Sequence, residues 1–271
     1  PLGGQVKIPK AGGLFDTYTT TNTYHPNGAQ ATTTYPAAGG LAAETVTTGY
    51  DTIGNPITLT GTDTYVASTS FYNWGPAYQQ ILGTGTKRVR TTSDVDEATG
   101  RPVTMAADTE ITATPGTWKR QLAETYTYDP AGSVRAIKET TDGGATVATQ
   151  CFTYDGLRQL AEAWTTTATA CQATPTQAIV GGPEAYWTSY TYNTLGLRTT
   201  ETRHSTGTNT VRTSTYPAAG ATRAHTLTKV TATGGATGTD TFTYDTTGNT
   251  LTRNLAGKPG QTLTWDAEGH L

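Results

Sequence analysis

The chain has 271 residues, about a quarter of them Thr, with 31 Gly, 15 Tyr and only 34% hydrophobic residues. That supply is thin for a compact globular core and suits an extended or curved sheet whose faces bury Tyr, Trp and Thr. A net charge of -3 and a pI near 5.8 give no electrostatic basis for nucleic-acid binding, while a mean hydropathy of -0.45 with 14% charged residues excludes a membrane span and a highly charged disordered tail.

Residues 1–13 carry Gly and Pro without periodicity and are predicted to be an irregular opening segment. Phe15 to Tyr24 alternates as a strand and turns at Pro26-Asn27-Gly28. Leu41 to Thr48 leads into Tyr50-Asp51-Thr52-Ile53-Gly54, and Ile57 to Thr60 alternates out of it. Tyr65 to Tyr72 reaches Asn73-Trp74-Gly75-Pro76, read as a shortened turn, and Gln80 to Thr92 is a hairpin about Gly83-Thr84-Gly85. The run Lys87-Arg88-Val89-Arg90 reads as the solvated face of a strand. From Met105 to Lys119 the pattern is least regular. Thr114-Pro115-Gly116 is a turn there, and Ala106-Ala107-Asp108 is predicted to be a short helical or irregular connection. Ala161 to Trp164 continues a strand or forms one helical turn. Residues from about 165 to 183 are predicted to be a surface insertion.

One unit recurs along this path. In Thr241-Phe242-Thr243-Tyr244-Asp245-Thr246-Thr247-Gly248, the rings of Phe242 and Tyr244 fall on one face of a strand and the Thr hydroxyls on the other. Asp245 then opens a type I turn through its side chain and Gly248 takes the positive φ that closes it, so the unit is a β-hairpin with a possible Gly bulge. Tyr126-Thr127-Tyr128-Asp129-Pro130-Ala131-Gly132 matches in full. Tyr190-Thr191-Tyr192-Asn193-Thr194-Leu195-Gly196 has Asn for Asp, and Leu263-Thr264-Trp265-Asp266-Ala267-Glu268-Gly269 has Leu and Trp for the rings. Phe152-Thr153-Tyr154-Asp155-Gly156-Leu157-Arg158 puts Arg where Gly is expected, which shifts the strained φ to Gly156. Weaker copies follow Tyr24, Tyr35 and Tyr216, and Val95 to Arg101 keeps the turn without the ring.

With these copies the sequence resembles the YD-repeat, or RHS, family, over nearly its whole length. The runs 150–164 and 262–271 look like those of the large secreted RHS proteins of actinobacteria. The resemblance implies an all-β fold in which antiparallel hairpin repeats wind into a curved β-spiral, part of a hollow shell as in the C component of insecticidal toxin complexes and in teneurins. It also implies a shell that encloses a C-terminal toxin or other cargo polypeptide. Residues 1–271 are then a single YD-repeat segment. No signal peptide opens it and a return strand stops at Leu271, so both ends are expected to be cut from a larger, secreted or cell-surface chain. The expected partners are the remainder of the shell and its cargo, or another copy of itself.

Cys151 and Cys171 are the two cysteines. A hairpin or wide loop brings them within reach, and an oxidising compartment then favours one disulfide, worth on the order of 3 kcal/mol; two unrelated buried thiols are the alternative. Neither has a second Cys or His at zinc spacing. His25, His204, His225 and His270 lack the i, i+4 pattern of a helical metal site, and no Gly-x-Ser-x-Gly elbow is present. Asp51, Asp129, Asp155, Asp245 and Asp266 would invite a glycosidase or calcium reading, yet each follows a ring at one repeat position and one structural cause accounts for all five. Asp94-Val95-Asp96-Glu97 is dense in carboxylates but lacks the Gly-punctuated calcium loop. No catalytic residue, cofactor or metal is therefore expected. The rings are read as stacking between successive hairpins. Trp118 and Trp187, outside the repeat position, are the candidates for exposed stacking on a surface glycan, which would make the chain an adhesin or glycan-binding module instead.

Overall fold

A computed structural model describes residues 2–9, 15–85, 87–266 and 268–271. Twenty β-strands and one 3-10 turn, Asp142–Gly144, account for their regular structure, and the fold is all-β and antiparallel. The chain divides into two compact units. The first, Pro1–Thr125 with Glu139–Thr146, contains β1 (Gly3–Pro9), β2 (Phe15–Tyr24), β3 (Gln30–Tyr35), β4 (Glu44–Tyr50), β5 (Pro56–Thr60), β6 (Thr64–Phe71), β7 (Ala77–Leu82), β8 (Val89–Val95), β9 (Pro102–Glu110) and the start of β10 (Trp118–Tyr128). The second, Tyr126–Lys138 with Val147–Leu271, contains most of β11 (Val134–Thr141) and β12 (Thr146–Tyr154), then β13 (Leu160–Thr166), β14 (Trp187–Tyr192), β15 (Arg198–Arg203), β16 (Thr210–Thr215), β17 (Lys229–Gly234), β18 (Gly238–Tyr244), β19 (Thr250–Asn254) and β20 (Gln261–Thr262).

The strands form antiparallel meanders in which neighbours in the chain pair with one another, β1 to β10 in one run and β12 to β20 in the other. The turn chemistry sets the register. Tyr24 pairs with Gln30, Tyr50 with Pro56, Tyr154 with Leu160, Tyr192 with Arg198 and Tyr244 with Thr250, and immediately behind each pair the ladder slips by one residue. The returning strand thus carries one unpaired residue, Ala31, Ile57, Ala161, Thr199 or Leu251, as a β-bulge that adds local twist. Phe71 pairs with Ala77 in the same way. The turn after it is therefore of full length, with Phe71 in the ring position and Tyr72 in the place of Asp, where a shortened turn was predicted.

The Thr residues between the rings also have a use. Thr23 meets Thr32 and Thr243 meets Thr252 across the hairpin, hydroxyl to hydroxyl at 2.7 and 2.6 Å. Such pairs contribute roughly 0.2–1 kcal/mol each and explain why a Thr-rich chain makes a stable sheet face without apolar residues. The buried set is correspondingly small among the described residues: Val46, Thr69, Ala106, Asp108, Glu110 and Ala123 in the first unit, and Cys151, Ala163, Trp164, Thr165, Thr166, Val230 and Asp240 in the second.

Three further expectations are corrected. Residues 3–9 of the opening segment are not irregular but form β1, registered on β2 from Gly3 opposite Thr21 to Pro9 opposite Phe15; the rest of that segment, 1 and 10–13, lies, apart from Leu2, outside the described residues. Ala106-Ala107-Asp108 lies inside β9, where alternation buries Ala106, Asp108 and Glu110 on one face. The insertion starts two residues later than its sequence implies, because Thr165 and Thr166 complete β13 and are buried.

Candidate functional site

The repeat turns are the most repeated chemistry in the chain. In each, the main-chain N–H of the Asp or Asn donates to the carbonyl four residues on, as Asp51 does to Asn55, Asp129 to Ser133, Asn193 to Leu197 and Asp245 to Asn249. The fourth turn residue donates back to the opening one, Gly54 to Asp51 and Gly248 to Asp245, with φ of 94° and 99° at those glycines. This is a type I turn closed by a Gly bulge. In the Tyr154 hairpin it is Arg158 that takes the positive φ, at 62°, rather than Gly156. The hydrogen-bond pattern fixes which position is left-handed, whatever residue stands there.

The carboxylates are occupied by the same turns. Asp51 Oδ1 accepts from the N–H of Ile53 and Asn55 at 3.0 and 2.8 Å, and Asp155, Asp245 and Asp266 each accept from the corresponding pair. Donors hold four turn carboxyls below the usual carboxylate range: the N–H of Asn55 for Asp51, the N–H of Ser133 for Asp129, the Thr247 hydroxyl for Asp245 and the N–H of His270 for Asp266.

The rings tie one hairpin to the preceding one. Tyr50 donates its hydroxyl to the carbonyl of Gln30 at 2.8 Å, Tyr154 to Val134 at 2.9 Å, Tyr192 to Leu160 at 2.9 Å and Tyr216 to Arg198 at 3.0 Å. Trp265 Nε1 does the same to Thr250 at 2.8 Å. Gln30, Leu160, Arg198 and Thr250 are the residues paired with the previous ring at its bulge. Each ring therefore reaches the start of the returning strand one hairpin earlier. Burial raises the phenols of Tyr154, Tyr192 and Tyr244 above their ordinary value and keeps them as proton donors. These rings are linked by bonds from a phenol or indole to a carbonyl; the predicted contact of ring on ring between successive hairpins is present at Tyr50, which meets His25 edge-on at 5.8 Å.

A second cluster crosses β8, β9 and β10 in the first unit. Arg90 and Arg120 stand opposite Asp108 on the two neighbouring strands. Arg90 donates to Asp108 Oδ2 through Nε and Nη2 at 3.1 and 3.0 Å, and Arg120 Nε donates to Oδ1. Arg88 Nε meets Glu110 Oε2 at 2.8 Å, and the N–H of Gly116 meets Oε1 at 2.7 Å. Arg88 and then Gly116 lower the Glu110 carboxyl to about 2 against the opposing effect of burial. Trp118 lies under Arg90 and Arg88, whose guanidinium carbons stand 4.8 and 5.7 Å from its ring. Arg88 and Arg90 are thus half-buried while Val89 faces solvent. The alternation predicted for this run is present, with its faces reversed, because two carboxylates on β9 outweigh the hydration of the arginines.

Trp118 and Trp187, predicted to be exposed, are both half-buried. Trp187 stacks on His204 with ring centroids 3.7 Å apart and donates Nε1 to Glu162 at 3.3 Å. His204 meets Ser189 Oγ through Nε2 at 2.9 Å and Asn209 Nδ2 through Nδ1 at 3.4 Å. With the Asn209 amide donating to Nδ1, the proton sits on Nε2 and the ring donates to Ser189, so it is not posed as a base toward that hydroxyl. This cluster had no signal in the sequence, since the pairing of β14 with β15 is what brings Ser189 to His204, while Asn209 reaches the ring from the loop ahead of β16. Among the described residues no group of three or more His, Cys, Asp or Glu side chains could hold a metal, and no helix is long and apolar enough to cross a membrane.

Cys151 and Cys171 form a disulfide with Cα atoms 5.6 Å apart. Cys151 lies opposite Trp164 in the β12–β13 ladder, and both are fully buried. The insertion is tied at its base by a bridge between Thr166 and Val180 and by the Thr166 hydroxyl donating to Ile179.

No family model and no curated protein matches the chain. Its fold is similar to solved structures described as TcdB2-TccC3 (TM-score 0.54, 18% identity, 96% of this chain and 16% of that one), TcdB2-TccC3-Cdc42 (0.53, 20%, 94% and 12%) and TcdB2-TccC3-TEV (0.52, 20%, 99% and 13%). At this identity the likeness is one of fold, and that fold is RHS-like. The chain spans 12–16% of the length of the chains it matches.

Proposed function

We propose that the chain is a non-enzymatic segment of a shell wall, which encloses and presents a C-terminal toxin or other cargo polypeptide of a secreted RHS protein of the actinobacterial type. The observation that carries this reading is the linkage between hairpins: the repeat rings and carboxylates are spent on holding each hairpin to itself and to the one before. A wall acts sterically, and it needs strand edges that are paired and a backbone that does not open. The RHS-like fold and the disulfide support the same reading. Its partners are the remainder of the shell with its cargo, or a second copy of the chain. The glycan-binding alternative loses support from Trp118 and Trp187, each of which has a ring face taken by its own chain.

The test is denaturing mass spectrometry of the native secreted product combined with limited proteolysis. The expected result is a longer polypeptide carrying these residues, with an unrelated globular domain that resists protease until the repeats are denatured. Recovery of this chain alone, without associated polypeptide, would overturn the proposal.

A further inference from the structure

A groove in the first unit lies apart from the turns. One cleft of about 680 Å3 is lined by Tyr18, Tyr35, Tyr65, Leu41, Glu44 and Asp63, among others. A second, of about 430 Å3, shares Tyr35, Glu44 and Tyr65 with it as a common wall. Neither lining includes a Lys, Arg or His. Tyr35 and Tyr65 remain 49% and 40% exposed. Glu44 is fixed in place, its Oε1 accepting from the N–H of Thr62 and the hydroxyl of Tyr65, both at 2.6 Å. The same two donors, Tyr65 first, keep that carboxyl below its usual range. The carboxylate of Asp63 makes no hydrogen bond or ion pair among the described residues.

We propose that this groove binds a lysine or arginine side chain carried on an extended polypeptide. Three phenol rings line the first cleft, and a cation over such a ring gains roughly 0.5–2 kcal/mol depending on desolvation. Two carboxylates without a cation of their own supply the matching charge. Leu41 and the ring edges suit the aliphatic stem of such a side chain. The first cleft, at about 680 Å3, is larger than a free amine needs and has the size of a ligand site. A neutral sugar would also stack on the rings, but it would leave both negative charges uncompensated.

The experiment is calorimetric titration of the whole 271-residue chain with a hexapeptide of alternating alanine and lysine, its arginine counterpart, an alternating alanine–glutamate peptide and a neutral oligosaccharide. Both basic peptides are expected to bind and the other two probes not to. Asp63→Asn should weaken binding about tenfold, since that carboxylate supports nothing else, and Tyr35→Ala should weaken it by a similar factor. Glu97→Gln, which removes the same charge from an exposed turn outside the groove, should leave it unchanged. Equal losses in Asp63→Asn and Glu97→Gln would reduce the effect to diffuse electrostatics and overturn the site. Absence of basic-peptide binding, or competition by the oligosaccharide, would overturn it as well.

Discussion

Arg158 stands at the one full repeat turn whose left-handed position lacks glycine, and a non-glycine residue there costs about 1 kcal/mol. Arg158→Gly is therefore expected to raise the stability of the second unit by up to about 1 kcal/mol in urea denaturation, less the exposed bond from Arg158 to the Ala131 carbonyl. The converse change, Gly54→Ala, should destabilise the first unit by about 1 kcal/mol. No atom lies within 4 Å of the added methyl, so the cost there is purely that of the backbone. Tyr154→Phe removes the bond to Val134 and should cost about 1 kcal/mol by the same measurement. The turn itself was legible in the sequence, because Asp, Gly and the ring alternation are local signals. The destination of the phenol was not, since it depends on where the preceding hairpin lies.

Among the elements, β8, β9 and β10 depend most on charge. Asp108 is 1% exposed and is flanked by Arg90 and Arg120. Removing a carboxylate that compensates two guanidinium groups is expected to cost about 3 kcal/mol in Asp108→Ala, whereas replacing all three partners by apolar residues should come near neutral. Glu110 has its folded value depressed from 4.5 to about 2. A depressed carboxyl contributes stability that is present above about pH 4.5 and is lost as pH falls toward 2, so the first unit should weaken across that window and Glu110→Gln should flatten the loss. In the second unit, burial depresses His204 below the ordinary histidine value. Its contribution is present above about pH 6.5 and declines as pH falls below that; His204→Phe should remove this step from thermal melts recorded against pH. The pairing of these strands was obscured in sequence because Ala106-Ala107-Asp108 has a helix former's composition. What makes it a strand is the arginines on both sides, which come from residues 18 and 12 positions away.

At the scale of the whole molecule, β1 is exposed along its entire length, with Val6 and Ile8 62% and 50% exposed, and among the described residues it pairs only with β2. An apolar edge of this kind recruits another strand. The chain should therefore associate with rising concentration in analytical ultracentrifugation, and Ile8→Lys should shift it toward monomer. The sequence by itself determined the all-β class, the hairpin repeat and its turn chemistry, because a period of two and a Gly at a positive φ are properties of a few neighbouring residues. It also placed two cysteines where a loop of moderate length could join them. Only the tertiary structure decided that β1 is a strand, that Arg88 and Arg90 turn inward, that the insertion is tied down over Cys151 beside Trp164, and that each ring ends on the hairpin before it. Those outcomes depend on which strands become neighbours, and strand neighbourhood is set by the sum of long-range pairings, not by any single stretch of chain.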